Sequence, residues 1–259
     1  MEVHHPHHPV HKKNFKEYLL EFFMLFFAVT LGFFAENIRE HYVEKEREIT
    51  FLQNIHQDLR KDISEIDSTV AFIDKKQLLS DSLFLEVKNN NIPSHLPEFY
   101  YYIRNLSFRH LFESSDNGFT QLKTSGGLRL IENNEIIEKI QDYTTSLNRT
   151  MSLQEINEST NLNLNYKVSR FFNVVTNVEM SNAQYIPIKT TSSNPARFFK
   201  PENPKPLVGA KEEDVNEVLN LAFSIVNRNK YFKIRLLGIK KSAQELDNLI
   251  VKEYGPRFH

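Results

Sequence analysis

The sequence predicts an all-α protein: an N-terminal transmembrane helix that continues into a long-helix bundle with coiled-coil-like patterning. Three observations carry this. Glycine is scarce, 7 of 259 residues, or about 3% against a usual ~7%, whereas the turns of β-rich folds and the phosphate loops of α/β folds consume glycine. Prolines leave the stretches 10–92, 98–186 and 207–255 uninterrupted, and proline-free chain is where long helices fit. An apolar run near the N-terminus leads directly into heptad-spaced apolar residues.

The apolar run extends from Phe22 to Ala35, broken only by Thr30 and Gly32. Its membrane-facing residues are Phe22, Phe23, Leu25, Phe26, Phe27, Val29, Leu31, Phe33 and Phe34. Extended to Tyr18 and Ile38 it reaches about 31 Å, the thickness of a hydrocarbon core. A soluble helix would carry a polar stripe every 3.6 residues, and none occurs here. Phe33 is too large for the position three residues before a cleavage site at Ala35, so the segment reads as an uncleaved signal anchor. Lys12, Lys13 and Lys16 precede it without opposing acids, which favours a cytoplasmic N-terminus and a periplasmic bulk. The domain division is therefore a His-rich tail at 1–17, a span at 18–38 and a helical extracytoplasmic domain at 39–259. Glu21 and Glu36 flank the run as interfacial carboxylates.

Beyond the span, Leu52, His56, Leu59, Ile63, Ile66, Val70 and Ile73 alternate in steps of four and three. This is a heptad stripe. It marks Leu52, Leu59, Ile63, Ile66 and Val70 as a candidate assembly seam, serving packing between copies or within the chain. Asp58, Arg60, Lys61, Asp62, Glu65 and Asp67 read as its solvated face. The absence of any helix breaker after Ala35 predicts one continuous helix from span to seam.

Asn89 to Pro93 reads as a turn, followed by a helix at about 95–112. Ser114 to Gly118 is a loop and helix start, and Phe119 to Thr124 a short helix. Ser125-Gly126-Gly127 is a tight turn and lacks the frame of a phosphate loop. A long helix is predicted from Asn134 to Val178, with a polar centre around Asn157–Asn165 that marks a bend. Residues 181–210 carry five prolines and form a loop suited to partner contact. The last helix runs from Glu212 to Glu253 and ends at Gly255-Pro256.

The chemistry-bearing patterns are few. The chain has no cysteine, which excludes disulfides, thiolate zinc sites and Cys nucleophiles. The His4–His11 cluster reads as a polar tail, and His41, His56, His95 and His110 as isolated structural histidines. Neither a metal centre nor a cofactor is expected. Arg228, Lys230, Lys233, Arg235, Lys240 and Lys241 place six cations within 14 residues. The net charge of the whole chain is −1, which argues against nucleic acid as a partner. Residues 36–91 hold 12 acidic and 8 basic side chains, while 227–257 hold 3 and 8. Antiparallel packing of the last helix on the first would bring the two charge sets together.

The stretch Glu21-Phe22-Phe23 through Ala35-Glu36-Asn37-Ile38-Arg39-Glu40, with the later Phe119-Thr120-Gln121-Leu122-Lys123-Thr124-Ser125-Gly126-Gly127-Leu128-Arg129-Leu130-Ile131, resembles a family of uncharacterised bacterial proteins common in Bacteroidota. The resemblance covers about residues 15–180. It implies a short charged tail, one membrane helix and a helical domain, and it carries over no catalytic or binding residue. This chain departs from the family pattern in its Phe-rich span and its extra histidine tail. The expected role is a non-catalytic, membrane-anchored scaffold or interaction module of the bacterial envelope, a homo-oligomer or the partner of an envelope protein. A sensor-like ectodomain binding a ligand or envelope signal is the alternative.

Overall fold

The computed structural model describes residues 14–89, 96–181 and 198–258. Most of the His-rich tail, the turn before Pro93, His95 and the central part of the 181–210 segment lie outside the described residues. The described residues form six α-helices and no strand.

Helix α1 (Phe15–Lys88) is continuous over 74 residues, about 110 Å at the α-helical rise. It opens where the Asn14 amide donates to Glu17 Oε2 at 3.2 Å. Thr30 donates its hydroxyl to the Phe26 carbonyl at 2.7 Å, so even the polar residue of the apolar run is satisfied within the helix. Along α1 the environment changes abruptly. Phe22 to Tyr42 are all exposed, whereas Leu52, Ile55, Leu59 and Ile66 are fully buried. This is one helix long and apolar enough to cross a membrane, joined without a break to the core of a bundle.

Helix α2 (Leu96–Ser107) stops five residues short of the predicted end. The reason is Gln154, whose side-chain amide accepts from the Phe112 amide at 2.9 Å and donates to the Phe112 carbonyl at 3.1 Å. Those two bonds hold 108–116 in an irregular path that buries Phe112. Helix α3 (Asn117–Thr124) follows. Gly126 then adopts φ +66° and a short 3-10 turn runs over Gly127–Leu130. Only glycine takes that φ without strain. Gly127 lies so close to α1 that an added Cβ would be 2.6 Å from the Phe51 ring.

Helix α4 (Asn134–Phe171) is capped by Asn133, whose Oδ1 accepts from the Glu135 amide at 2.9 Å. Its polar centre, where the sequence predicts a bend, lies within one continuous helix. The Asn161 and Asn165 side chains bond back to the carbonyls of Asn157 and Asn161, each at 3.1 Å, and the helix continues through them. The break comes later, at Phe172-Asn173, before α5 (Val174–Ser181). There the Asn173 amide donates to Tyr100 Oη at 2.9 Å, and the Val208 amide donates to the Phe171 carbonyl at 2.8 Å. Groups distant in sequence thus replace the helical bonds.

Helix α6 (Glu212–Tyr254) packs antiparallel along α1 and beside α4. Its register on α1 is set by Lys240 with Asp67 at 2.6 Å and by Lys233 with Asp74. A seven-residue step up α1 matches a seven-residue step back along α6. Two apolar cores result. The one nearer the apolar run joins Leu52 to Ile73 with Phe112, Ile136 to Leu147 and Phe232 to Tyr254. The far one joins Leu83 with Phe99 to Leu106, Leu164 to Phe172 and Val218 to Val226.

Two glycines test this packing in opposite directions. An added Cβ at Gly118 would stand 2.9 Å from the backbone of Asn54 and Ile55. Gly118→Ala is expected to cost about 1–3 kcal/mol through overpacking. At Gly238, in the middle of α6, nothing lies within 4 Å. Gly238→Ala is expected to add up to about 1 kcal/mol from helix propensity. Urea unfolding of the detergent-solubilised chain, followed by circular dichroism, measures both.

Candidate functional site

The buried face of α1 is not purely apolar. It carries Glu48, Asp58, Asp62, Thr69, Lys76 and Ser80, each no more than 4% exposed. Burying such groups is costly unless they are bonded, and most of them hold a segment of backbone in place.

Glu48 joins three elements nearest the apolar run. Its Oε1 accepts from the Glu132 amide at 2.9 Å and from Tyr254 Oη at 2.6 Å. Its Oε2 pairs with Lys45 at 2.7 Å, and Lys45 also reaches Glu132 at 2.8 Å. Burial first, and then the Glu48 carboxylate, push the Tyr254 hydroxyl above its ordinary pKa. Two open clefts flank this junction. One, of about 430 Å³, is bounded by Glu40, His41, Glu44 and Arg129, and the other, of about 320 Å³, by Glu253 and Arg257.

Asp58 and Asp62 dock the 115–118 loop. Asp58 Oδ2 accepts from the Gly118 amide and Asp62 Oδ1 from the Ser115 amide, both at 2.6 Å. Tyr143, fully buried on α4, donates its hydroxyl to Asp62 Oδ2. Burial raises the Asp62 pKa to about 6, although the bonds from Tyr143 and Ser115 pull it down; the nearby Asp58 and Asp116 charges add to the rise. The sequence placed Asp58 and Asp62 on the solvated face of α1, and the structure corrects this. The i, i+4 spacing puts both on the inner side, where the loop's amides need acceptors.

Lys76 lies between the two apolar cores. Its Nζ donates to the Leu106 carbonyl at the end of α2 at 2.7 Å and sits 5.2 Å from the Phe72 ring centre. Burial pushes its pKa down to about 7. Beside it is a cavity of about 30 Å³, edged by Asn157, Asn161 and Asn229. The Arg109–Glu158 and His110–Glu65 ion pairs stand at its rim. That volume holds one or two waters. Asn161 Oδ1 is buried there without a hydrogen-bond partner. Among the described residues no group of three or more His, Asp or Glu is placed to hold a metal ion.

The residues singled out from sequence are distributed as follows. The residues of the apolar run, Phe22 to Phe34, are exposed throughout. Of the seam residues, Leu52, Leu59 and Ile66 are fully buried inside this chain, and Ile63 and Val70 are partly buried against the same core. That stripe is occupied by α3, α4 and α6 of its own chain rather than presented to another copy. Ile55, missed by the heptad count, is fully buried beside it. Within the basic patch, Lys233 and Lys240 are paired with Asp74 and Asp67 on α1. Arg228, Lys230 and Lys241 face outward, and Arg235 is half-buried with its Nε unbonded. His56 and His110 are not isolated, since their Nδ1 and Nε2 lie 2.5 Å from Asp247 and 2.9 Å from Glu65. Separations of 191 and 45 residues hide these pairs from any local pattern. The described end of the proline-rich segment lies on this chain's own helices. Phe198 bonds through its amide and carbonyl to the Asn105 side chain, at 3.3 and 3.1 Å.

No family model, curated protein or solved structure matches the chain.

The Asp62 site has a signed pH dependence. A carboxyl whose pKa is raised on folding stabilises the fold at low pH, and this contribution is lost as pH rises through the folded value. For Asp62 the window runs from about pH 4 to about 6. Asp62→Asn is expected to flatten the stability profile across that window, measured as urea midpoints at pH 4.5, 5.5 and 7. Tyr143→Phe deletes a bond to a buried carboxylate and is expected to cost about 1.5–3 kcal/mol at pH 7, read in the same assay.

Proposed function

We propose that this chain is a membrane-anchored helical scaffold, a non-catalytic interaction module of the bacterial envelope. Residues 18–38 hold it in the inner membrane, with the N-terminus cytoplasmic and the helical domain periplasmic. The supporting observation is the single helix α1, which is apolar and exposed from Phe22 to Ala35 and buried in the bundle core from Glu48 to Leu83. A flexible linker would let a tethered domain tumble. A continuous helix instead fixes the bundle's height and tilt relative to the bilayer, which is what a module presenting a side face to neighbours requires. The resemblance to Bacteroidota membrane proteins agrees with this placement. So do the polar interior sites, whose side chains hold loops and helix ends in place.

Carbonate-washed membranes are expected to retain the chain, and replacing both Phe26 and Phe27 by Asp to release it. Protease added to intact spheroplasts should digest the helical domain. Native mass spectrometry of the chain extracted in mild detergent should give an assembly larger than one copy. A bare monomer would overturn the interaction role.

A further inference from the structure

We infer that the outer face shared by α1 and α6, in the half farther from the apolar run, is a docking surface for a second copy of this chain. The inference rests on the anchored reading, because anchoring holds two copies upright and at equal height.

Among the described residues, this face carries large apolar side chains that stand well exposed. Leu78 and Leu85 on α1 are 69% and 58% exposed, and Phe223 and Leu237 on α6 are 54% and 43% exposed. Exposed apolar residues grouped on one face mark interaction sites more often than chance singles do. Within the chain, α1 and α6 are level at Asp67 with Lys240, at Asp74 with Lys233 and at Phe84 with Phe223. Two exposed rows run along those contacts and share Asp67 and Phe223 with them. On α1 the row is Asp67, Ala71, Leu78 and Leu85, and on α6 it is Lys241, Leu237, Lys230 and Phe223. Both rows step by four, seven and seven residues, in opposite directions. Such steps return to nearly the same side of a helix, so each row is a straight line of side chains.

A two-fold axis along the membrane normal lays the α1 row of one copy on the α6 row of the other, twice over. Leu85 then meets Phe223 of the second copy, and Ala71 meets Leu237. The stem of Lys230 lies over Leu78, and Lys241 meets Asp67. Packing α6 on α6 would instead bring Lys230 and Lys241 against their own duplicates. The mixed arrangement avoids those like-charge contacts, sets Leu85 on Phe223 and Ala71 on Leu237, and adds Lys241 beside the Asp67–Lys240 pair. The face is about 27 Å long and two helices wide, so a dimer would bury on the order of 1,000 Å² in total, the lower bound for a specific interface. Confinement of both copies to one membrane raises their effective concentration and makes such an area sufficient.

The chain has no native cysteine, so introduced thiols report unambiguously. Full-length chains carrying Ala71→Cys and Leu237→Cys, with different tags, are co-expressed and oxidised in native membranes. A mixed disulfide is expected at least ten-fold above that of Ala71→Cys with Phe223→Cys, a pair about 21 Å out of level. Chains retained in carbonate-washed membranes without the 71–237 product would overturn this face and leave the anchored reading standing. Chains lost from the washed membranes would overturn both.

Discussion

A peptide group inside hydrocarbon has no partner but its own helix, so a spanning segment must keep every backbone bond internal. The helix through Phe22–Ala35, long and apolar enough to cross a membrane, meets that requirement. In this protein the same regular backbone continues through α1 as far as Lys88. Much of the bundle is laid along it, while α4 packs mainly on α6. Helix α6 runs back down it, α3 and the 3-10 turn rest on its inner face, and α2 reaches it through Lys76. Because α1 is unbroken, the bundle is joined to the apolar run through one continuous helix.

The polar residues on the inner face of α1 decide how the other elements dock. Apolar stripes alone tolerate sliding, since one Leu row packs against another at several offsets. Carboxylates that accept specific backbone amides do not. Asp58 and Asp62 each take one amide of the 115–118 loop, and Glu48 takes the amide of Glu132 together with the hydroxyl of Tyr254. Displacing these groups by one residue would leave a buried carboxylate without its donors, a penalty well above that of losing one surface ion pair. The Lys233 and Lys240 pairs on the rim contribute less stability but the same register.

The interior is divided by a polar belt at Lys76, with one apolar core on either side. The asparagine-rich centre of α4 belongs to that belt, which explains a composition that a uniformly apolar core would not accept. Asn161 and Asn165 bond to carbonyls of their own helix, and Asn165 also reaches the Ser107 carbonyl at 3.4 Å. Asn165 thereby ties α4 to the end of α2.

Local pattern made much of this architecture legible. Scarce glycine and long proline-free stretches gave the all-α class, and the absence of breakers after Ala35 gave the continuity of α1. The Ser-Gly-Gly turn followed from glycine chemistry, and opposite charge on the two ends of the chain agreed with antiparallel packing of α6 on α1. Less legible were the ends of α2 and α4. Gln154, Tyr100 and Val208 terminate or redirect those helices from 42, 73 and 37 residues away, and no window of sequence contains both partners.

By itself the sequence determined which segments are helical and which single segment is apolar enough for a bilayer, because helix periodicity and hydropathy are properties of neighbours along the chain. Only the tertiary structure decided which charged residues are buried and what the heptad stripe touches. Asp58 and Asp62 look like solvent-facing acids in sequence and are interior acceptors in space. Leu52, Leu59 and Ile66 read in sequence as a seam either between copies or within the chain, and in space they are buried inside one chain. The physical reason is the same in both cases. Burial depends on where distant backbone amides and apolar faces come to rest, and that is settled by packing rather than by spacing.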